Sequence, residues 1–265
     1  MTEHLVAADR LDERWIGYQG LFGGFVTGLL VDAAIAESSY RLVSFSANFV
    51  SGVPLGDMTI SIEHLHRGRS TQLSRLTLRV NDRTCIYASA EFVQGPQEKP
   101  NPRQPWIQKG SEILLPHQWL DQGRVVLPFD ELFDVRRVDP PSVSDHSSTW
   151  VRVHPGVGTP PGLSSPEGLL ATFLDLPTPG LFGESSPPAF VPTIDYTLHF
   201  PPRFDWDSSS WIHIVHSTAW ATYSDCADDV RAWDERGNLV ALARQTRSVR
   251  WGSPSDQAHG VERPR

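Results

Sequence analysis

The feature that most constrains this chain is an internal repeat of strand-like text. VSFSANFVSG (43–52) matches IDYTLHFPPR (194–203), MTISIEHLHRG (58–68) matches WIHIVHSTAWA (211–221), and DRTCIYASAEF (82–92) matches ERGNLVALARQ (235–245). Each pair shares one alternation of apolar and polar residues, and the pairs occur in the same order, so both halves are strand-rich and built alike. Aligned by that rhythm, Ser44 falls opposite Asp195, Leu65 opposite Thr218, and Ala90 at or beside Gln245. One half places small or apolar residues where the other places a carboxylate, a hydroxyl and an amide. Ser44, Leu65 and Ala90 thus serve as an internal control: the fold alone does not demand polar groups there.

Each repeat is preceded by an apolar run at helical spacing. In FGGFVTGLLVDAAIAE (22–37), Phe22, Phe25, Val26, Leu29, Leu30, Ala33 and Ala34 recur with a period near 3.6. Gly23, Gly24 and Gly28 each weaken such a helix by roughly 1 kcal/mol, which points to close approach of a sheet or a ligand. The second run, EGLLATFLDL (167–176), follows Ser165 as cap and Pro166 at the first helical position. Strands are expected near 42–50, 57–66, 71–81 and 84–94, then at 149–155, 192–200, 211–222, 227–235 and 239–251. A sheet wrapped around a buried helix is the compact way to cover both, and two copies side by side would pair their edges. The expected fold is therefore α+β, a double hotdog of two antiparallel sheets, each wrapped around a central apolar helix. Its parts are an N-terminal hotdog (1–95), a proline-rich crossover (96–148) with Trp106, Trp119, Phe129 and Phe133, a C-terminal hotdog (149–251), and a polar tail (252–265).

Composition narrows the function. A formal net charge of −8 argues against a general nucleic-acid or membrane-surface binder. No apolar run approaches the roughly 20 residues of a membrane-spanning helix. The N-terminal residues lack a secretory pattern, so a cytoplasmic protein is expected. Cys85 and Cys226 stand apart without metal-type spacing. The phosphate-loop pattern GxxxxGK[ST] and the nucleophile elbow GxSxG do not occur.

Several segments carry a family resemblance: FGGFVTGLLVDAA, IEHLHRGRS, TIDYTLHF, VHSTA and NLVALARQTRSVR. Together they resemble acyl-CoA thioesterases of the thioesterase B type (type II, double hotdog), from about Trp15 to Trp251. In that family an Asp, a Thr and a Gln of the second half position and activate water. The resemblance places them on Asp195, Thr218 and Gln245. It implies an acyl-CoA or acyl-carrier-protein thioester as substrate and no cofactor.

The residue types suit that chemistry. A carboxylate can take a proton from water, while a hydroxyl and an amide hold the same water in place. Donors for the developing oxyanion are expected at the start of the first helix, on Gly23 and Gly24, although helix–sheet packing explains these glycines equally well. Arg67 and Arg69 could contact coenzyme A phosphates, or be solvated charges at a strand-end turn. His64 and His66 share a strand face without a third ligand nearby, so no metal is expected. Asp175 and Asp205 read as cap or turn residues. Two rivals follow from the same text. Asp195 and His199 superficially fit an Asp-x-x-x-His pattern of double-hotdog dehydratases or hydratases, but His154–Gly158 lies in the wrong half to complete it. A non-catalytic acyl-CoA binder would keep the fold without turnover. Pairing into a homodimer is an assembly that the fold allows.

Overall fold

The computed structural model describes residues 1–8, 11–95, 127–137, 146–183, 187–202 and 209–252. Most of the crossover, with Trp106 and Trp119, lies outside the described residues, as do Asp205 and the tail beyond Gly252.

The first half contains β1 (Thr2–Val6), a small hairpin of β2 (Ile16–Gly17) and β3 (Gly20–Leu21), helix α1 (Gly23–Ala36), and strands β4 (Arg41–Phe49), β5 (Met58–Arg67), β6 (Thr71–Val80) and β7 (Arg83–Val93). The second contains β8 (Phe133–Arg137), β9 (His146–Val153), helix α2 (Pro166–Phe173), and strands β10 (Thr193–His199), β11 (Ile212–Ala221), β12 (Asp225–Asp234) and β13 (Leu239–Ser248). β8 and the start of β9 fall within the stretch that the sequence assigns to the crossover. Both edge strands, β1 and β8, are only five residues long and escape a reading based on longer alternation.

The strands form one antiparallel sheet of eleven, in the order β1-β5-β6-β7-β4-β10-β13-β12-β11-β9-β8, so the sheets of the two halves are joined edge to edge. The cause is the pairing of β4 with β10, the first strand after each helix. Ser46 pairs with Thr197, and their hydroxyls lie 3.0 Å apart. On either side of this pair, Ser44 faces His199 and Asn48 faces Asp195, so Ser44 and Asp195 hold equivalent places about a local two-fold.

The helices also meet each other. They run antiparallel, with Gly28 of α1 against Gly168 of α2. A Cβ at Gly28 would lie 2.6 Å from the Gly168 carbonyl and 2.8 Å from the Thr172 hydroxyl, so only glycine permits this approach. α1 is apolar on all sides because the sheet covers one side and α2 the other. Phe25 and Leu30 of α1, Leu170 and Phe173 of α2, Phe45 of β4 and Leu198 of β10 join one core that spans both halves. Ser165 caps α2 as expected, its hydroxyl accepting from the Gly168 N–H at 2.9 Å.

Candidate active site

Strand pairing decides which side chains meet. Tyr196 of β10 pairs with Gln245 of β13, which pairs with Asp228 of β12, which pairs with Thr218 of β11. Gln245, Asp228 and Tyr196 are fully or almost fully buried, while Thr218 is half-exposed at the end of the row. The Thr218 hydroxyl donates to Asp228 Oδ1 at 2.8 Å.

Asp195 lies elsewhere. Its Oδ1 accepts from the Thr246 backbone N–H at 2.9 Å, and it shares the opposite sheet face from Tyr196 and Gln245. A register shift between Thr193 and Asp195 accounts for a further difference. Simple alternation puts Thr193 beside Asp195 and Ile194 beside Tyr196. The bulge instead leaves Ile194 exposed and brings the Thr193 hydroxyl to Gln245 Oε1 at 3.1 Å. Among the described residues, no hydrogen bond joins Asp195, Thr218 and Gln245 to one another.

Bulges also refine the comparison of halves. The pairing skips Leu65 between His64 and His66, and Ala219 between Thr218 and Trp220. The first-half row is His64–Ser74–Ala90, so His64, not Leu65, stands where Thr218 stands. Ala90 does match Gln245. The first half is not apolar here either: Ser74 and His64 Nδ1 are 3.0 Å apart, and Gln72 Nε2 donates to Ser74 at 3.2 Å.

The largest omission of the sequence reading is an ionic cluster behind Gln245. Asp175, just past α2, accepts at Oδ1 from Gln245 Nε2 at 3.1 Å and from Arg247 Nη2 at 3.2 Å. Arg247 Nε lies 3.0 Å from Asp228 Oδ2, although its N–H is not directed at that oxygen. One cation therefore stands between two buried carboxylates. Burial pushes both carboxyls above their ordinary range, and Arg247 pulls each part of the way back. His216, fully buried beside Asp228 at 3.8 Å, is held down at about 3 by burial and by Arg247, so it is a neutral imidazole at physiological pH. The signal in the sequence was Arg247 two residues after Gln245, on the same inward face.

The expected oxyanion donors sit next to this cluster. A Cβ at Gly23 would lie 3.3 Å from Asp175 Oδ2, and one at Gly24 would lie 2.9 Å from Asp175 Cβ. The Gly24 N–H is close enough to Asp175 to help hold its carboxyl down against burial. Arg67 and Arg69 are exposed at the β5–β6 turn. The row through Gln245 and Tyr196 continues across the seam to Ile62, five residues along β5 from Arg67. That separation is roughly 16 Å along the strand.

Known proteins place this arrangement in context. The chain superposes on a protein of unknown function with the hot dog fold from Alicyclobacillus acidocaldarius, with a TM-score of 0.74 at 18% identity over 95% of this chain and 94% of that one. It superposes on an acyl-CoA thioesterase II from Mycobacterium marinum with a TM-score of 0.67 at 19% identity, covering 88% and 90%. A TesB protein from Mycobacterium avium subsp. paratuberculosis gives 0.68 at 16% identity, covering 93% and 92%. These likenesses establish the hotdog fold. No curated protein sequence matches the chain. No helix among the described residues is long and apolar enough to cross a membrane. The family profile of the acyl-CoA thioesterase N-terminal domain matches residues 11–93, and that of the C-terminal domain matches residues 96–249. The chain therefore belongs to the acyl-CoA thioesterase family and is a thioester hydrolase.

Proposed function

We propose that the chain hydrolyses an acyl-CoA thioester to free acid and coenzyme A by direct attack of water, at the end of the second half where β10, β11 and β13 carry Asp195, Thr218 and Gln245. The observation that supports this reading is Gln245. A carboxamide buried to 0% exposure in an otherwise packed sheet face costs stability unless each polar atom is matched. Here it is matched on both sides, by Asp175 and Thr193, and its equivalent in the first half is simply Ala90. In this reading Gln245 and Thr218 position the water and Asp195 takes its proton. Asp195 sits beside the β10 bulge, where strands re-aim side chains, and must exchange the Thr246 N–H for water.

A second reading rests on the row itself. Asp228 stands between Thr218 and Gln245 on the same face, bonded to Thr218, and could serve as the base instead.

Thiol release from a panel of acyl-CoA and acyl-carrier-protein thioesters tests both readings. Gln245→Ala should lower kcat by about 100-fold, the usual scale for a misplaced reactant. Loss of the base should cost about 100- to 10,000-fold. A collapse in Asp195→Asn with Asp228→Asn active supports the first reading, and the reverse supports the second. Wild type that binds acyl-CoA yet releases no thiol would refute hydrolysis. That outcome would leave an acyl-CoA binder.

A further inference from the structure

Gln245 is held by two partners of opposite kind. An ionised carboxylate only accepts, so Asp175 Oδ1 takes the Nε2 side of the amide, while the Thr193 hydroxyl donates to Oε1. A flipped amide would set Oε1 against the carboxylate and lose the bond. Asp175 therefore determines which end of the carboxamide faces α1 and which faces β10, and the Thr193 hydroxyl, able to donate or accept, follows by donating to Oε1.

The repeat shows that this is more than helix capping. Each half carries an aspartate at the N-terminus of the other half's helix. Asp32 of α1 accepts from the Ser164 N–H at 2.6 Å, the Ser164 hydroxyl at 3.0 Å, the Ser165 N–H at 3.1 Å and the Ser165 hydroxyl. All its donors belong to the entry to α2. Asp175 likewise lies by a helix start, near the Gly24 N–H, but its Oδ1 is turned to Gln245 and Arg247 of β13. Where β13 has those two residues, β7 has Ala90 and Phe92.

We propose that Asp175 is a positioning residue of the hydrolytic site: held between Arg247 and the start of α1, it locks Gln245 with Nε2 toward the helix and Oε1 toward β10. This rests on the hydrolytic reading above. A water at Oε1 donates one proton to it and keeps a lone pair free for the thioester carbonyl. The groups facing Asp175 are Arg247 and Gln245 from β13, Tyr196 from β10 and the Gly24 N–H from α1. Asp228 of β12 lies beyond Arg247, with His216 of β11 next to it. Because burial raises the Asp175 carboxyl, its protonation, which turns an acceptor into a donor, helps set the acid limb of activity.

The experiment compares purified full-length wild type and Asp175→Asn for thiol release from acyl-CoA, with kcat and KM measured separately across pH and melting followed in parallel. Asparagine can present either a donor or an acceptor, so Gln245 is free to flip. We expect kcat to fall about 10- to 100-fold, KM to stay within about threefold, and the acid limb to move to lower pH. A purely structural role would lower the melting temperature and leave kcat per folded molecule and the pH profile as in wild type, which would overturn the proposal. If Asp175→Asn does not fold, Gln245→Glu reads the same contact, because only a protonated glutamate can donate to Asp175. Its optimum should move to lower pH by about one unit, the span of a tenfold change in protonation. An unshifted optimum would overturn the proposal. An inactive wild type refutes hydrolysis, and the positioning role with it, a result distinct from an active wild type paired with an indifferent Asp175→Asn.

Discussion

Asp32 and Asp175 each lie against the start of the other half's helix, yet they have different neighbours. Asp32 is surrounded by the serine N–H and O–H groups at the start of α2. Asp175 lies against an amide and a guanidinium from β13. The matching positions across the sheet show the same contrast: Phe92 stands where Arg247 stands, and Ile62 where His216 stands. A repeated fold thus tolerates an apolar filling at these places. The second half has instead a buried set of two carboxylates, one cation, one imidazole and one amide. Such a set is expensive to build without function, because each ion must be desolvated.

The most severe way to break the contrast is to give the second half the first half's residue. Arg247→Phe leaves Asp175 and Asp228 facing each other without a cation. Breaking a buried pair from one side costs about 3–5 kcal/mol, and that loss is expected at neutral pH in urea denaturation. Both carboxyls are already raised by burial, so the folded state binds protons more tightly than the unfolded chain. The sign follows: stability from these groups is present below the ordinary carboxylate value of 3.8 and is lost as pH rises through the raised values. The variant should therefore recover part of its stability on acidification. A loss below about 1 kcal/mol would mean that the cluster is not held by Arg247.

Asp32→Ala sharpens the contrast from the other side. It removes the acceptor for four donors at the α2 entry, while Ser165 still caps Gly168. The expected cost is about 1–2 kcal/mol of stability, the scale of a lost helix cap, with kcat unchanged within about twofold. Thermal melting and thiol release on one preparation check both. A loss of activity in folded Asp32→Ala would show that the two aspartates are not functionally distinct.

How much of this was legible in the sequence follows from what each signal measures. Alternation located the eight long strands of the repeat within a few residues, and glycines marked a close approach to α1, although at Gly28 the partner is α2 rather than a sheet or a ligand. The same alternation puts Gln245 on one face with Leu239, Ala241 and Ala243, and all four are buried. It failed at Thr193–Asp195 because alternation assumes no bulge, and one extra residue exchanges the faces. It failed at Leu65 for the same reason: pairing skips that residue, so Thr218 answers to His64. The repeat implied that the two sheets would pair their edges, but that β4 and β10 are the strands that meet depended on contacts between distant residues, which a local pattern does not encode. Asp175 read as a turn residue because its partners are 70 and 72 positions away. A lone carboxylate after a helix is a common sight, and only tertiary structure shows what it touches.

The finest test of the contrast concerns His216, whose first-half equivalent is Ile62. Both side chains are wholly buried, and among the described residues neither ring nitrogen of His216 has a hydrogen-bond partner. His216→Ile therefore removes no bond, and near pH 7 its stability should lie within about 1 kcal/mol of wild type. The difference should grow on acidification. His216 is depressed from 6.5 to about 3 in the fold, so the unfolded chain takes up its proton first. The stability tied to the neutral ring is present above pH 6.5 and is lost progressively as pH falls toward about 3. At about 1.4 kcal/mol per pH unit, the isoleucine variant should gain roughly 2 kcal/mol on wild type between pH 6.5 and 5. The raised carboxyls titrate with the opposite sign, but they are present in both proteins and largely cancel in the difference. Urea midpoints of the two proteins at pH 7 and pH 5 measure it directly. Parallel pH dependence would mean that the imidazole gains a proton inside the fold, with Asp228 as its counter-ion, and that the second-half cluster is more polar than its packing shows.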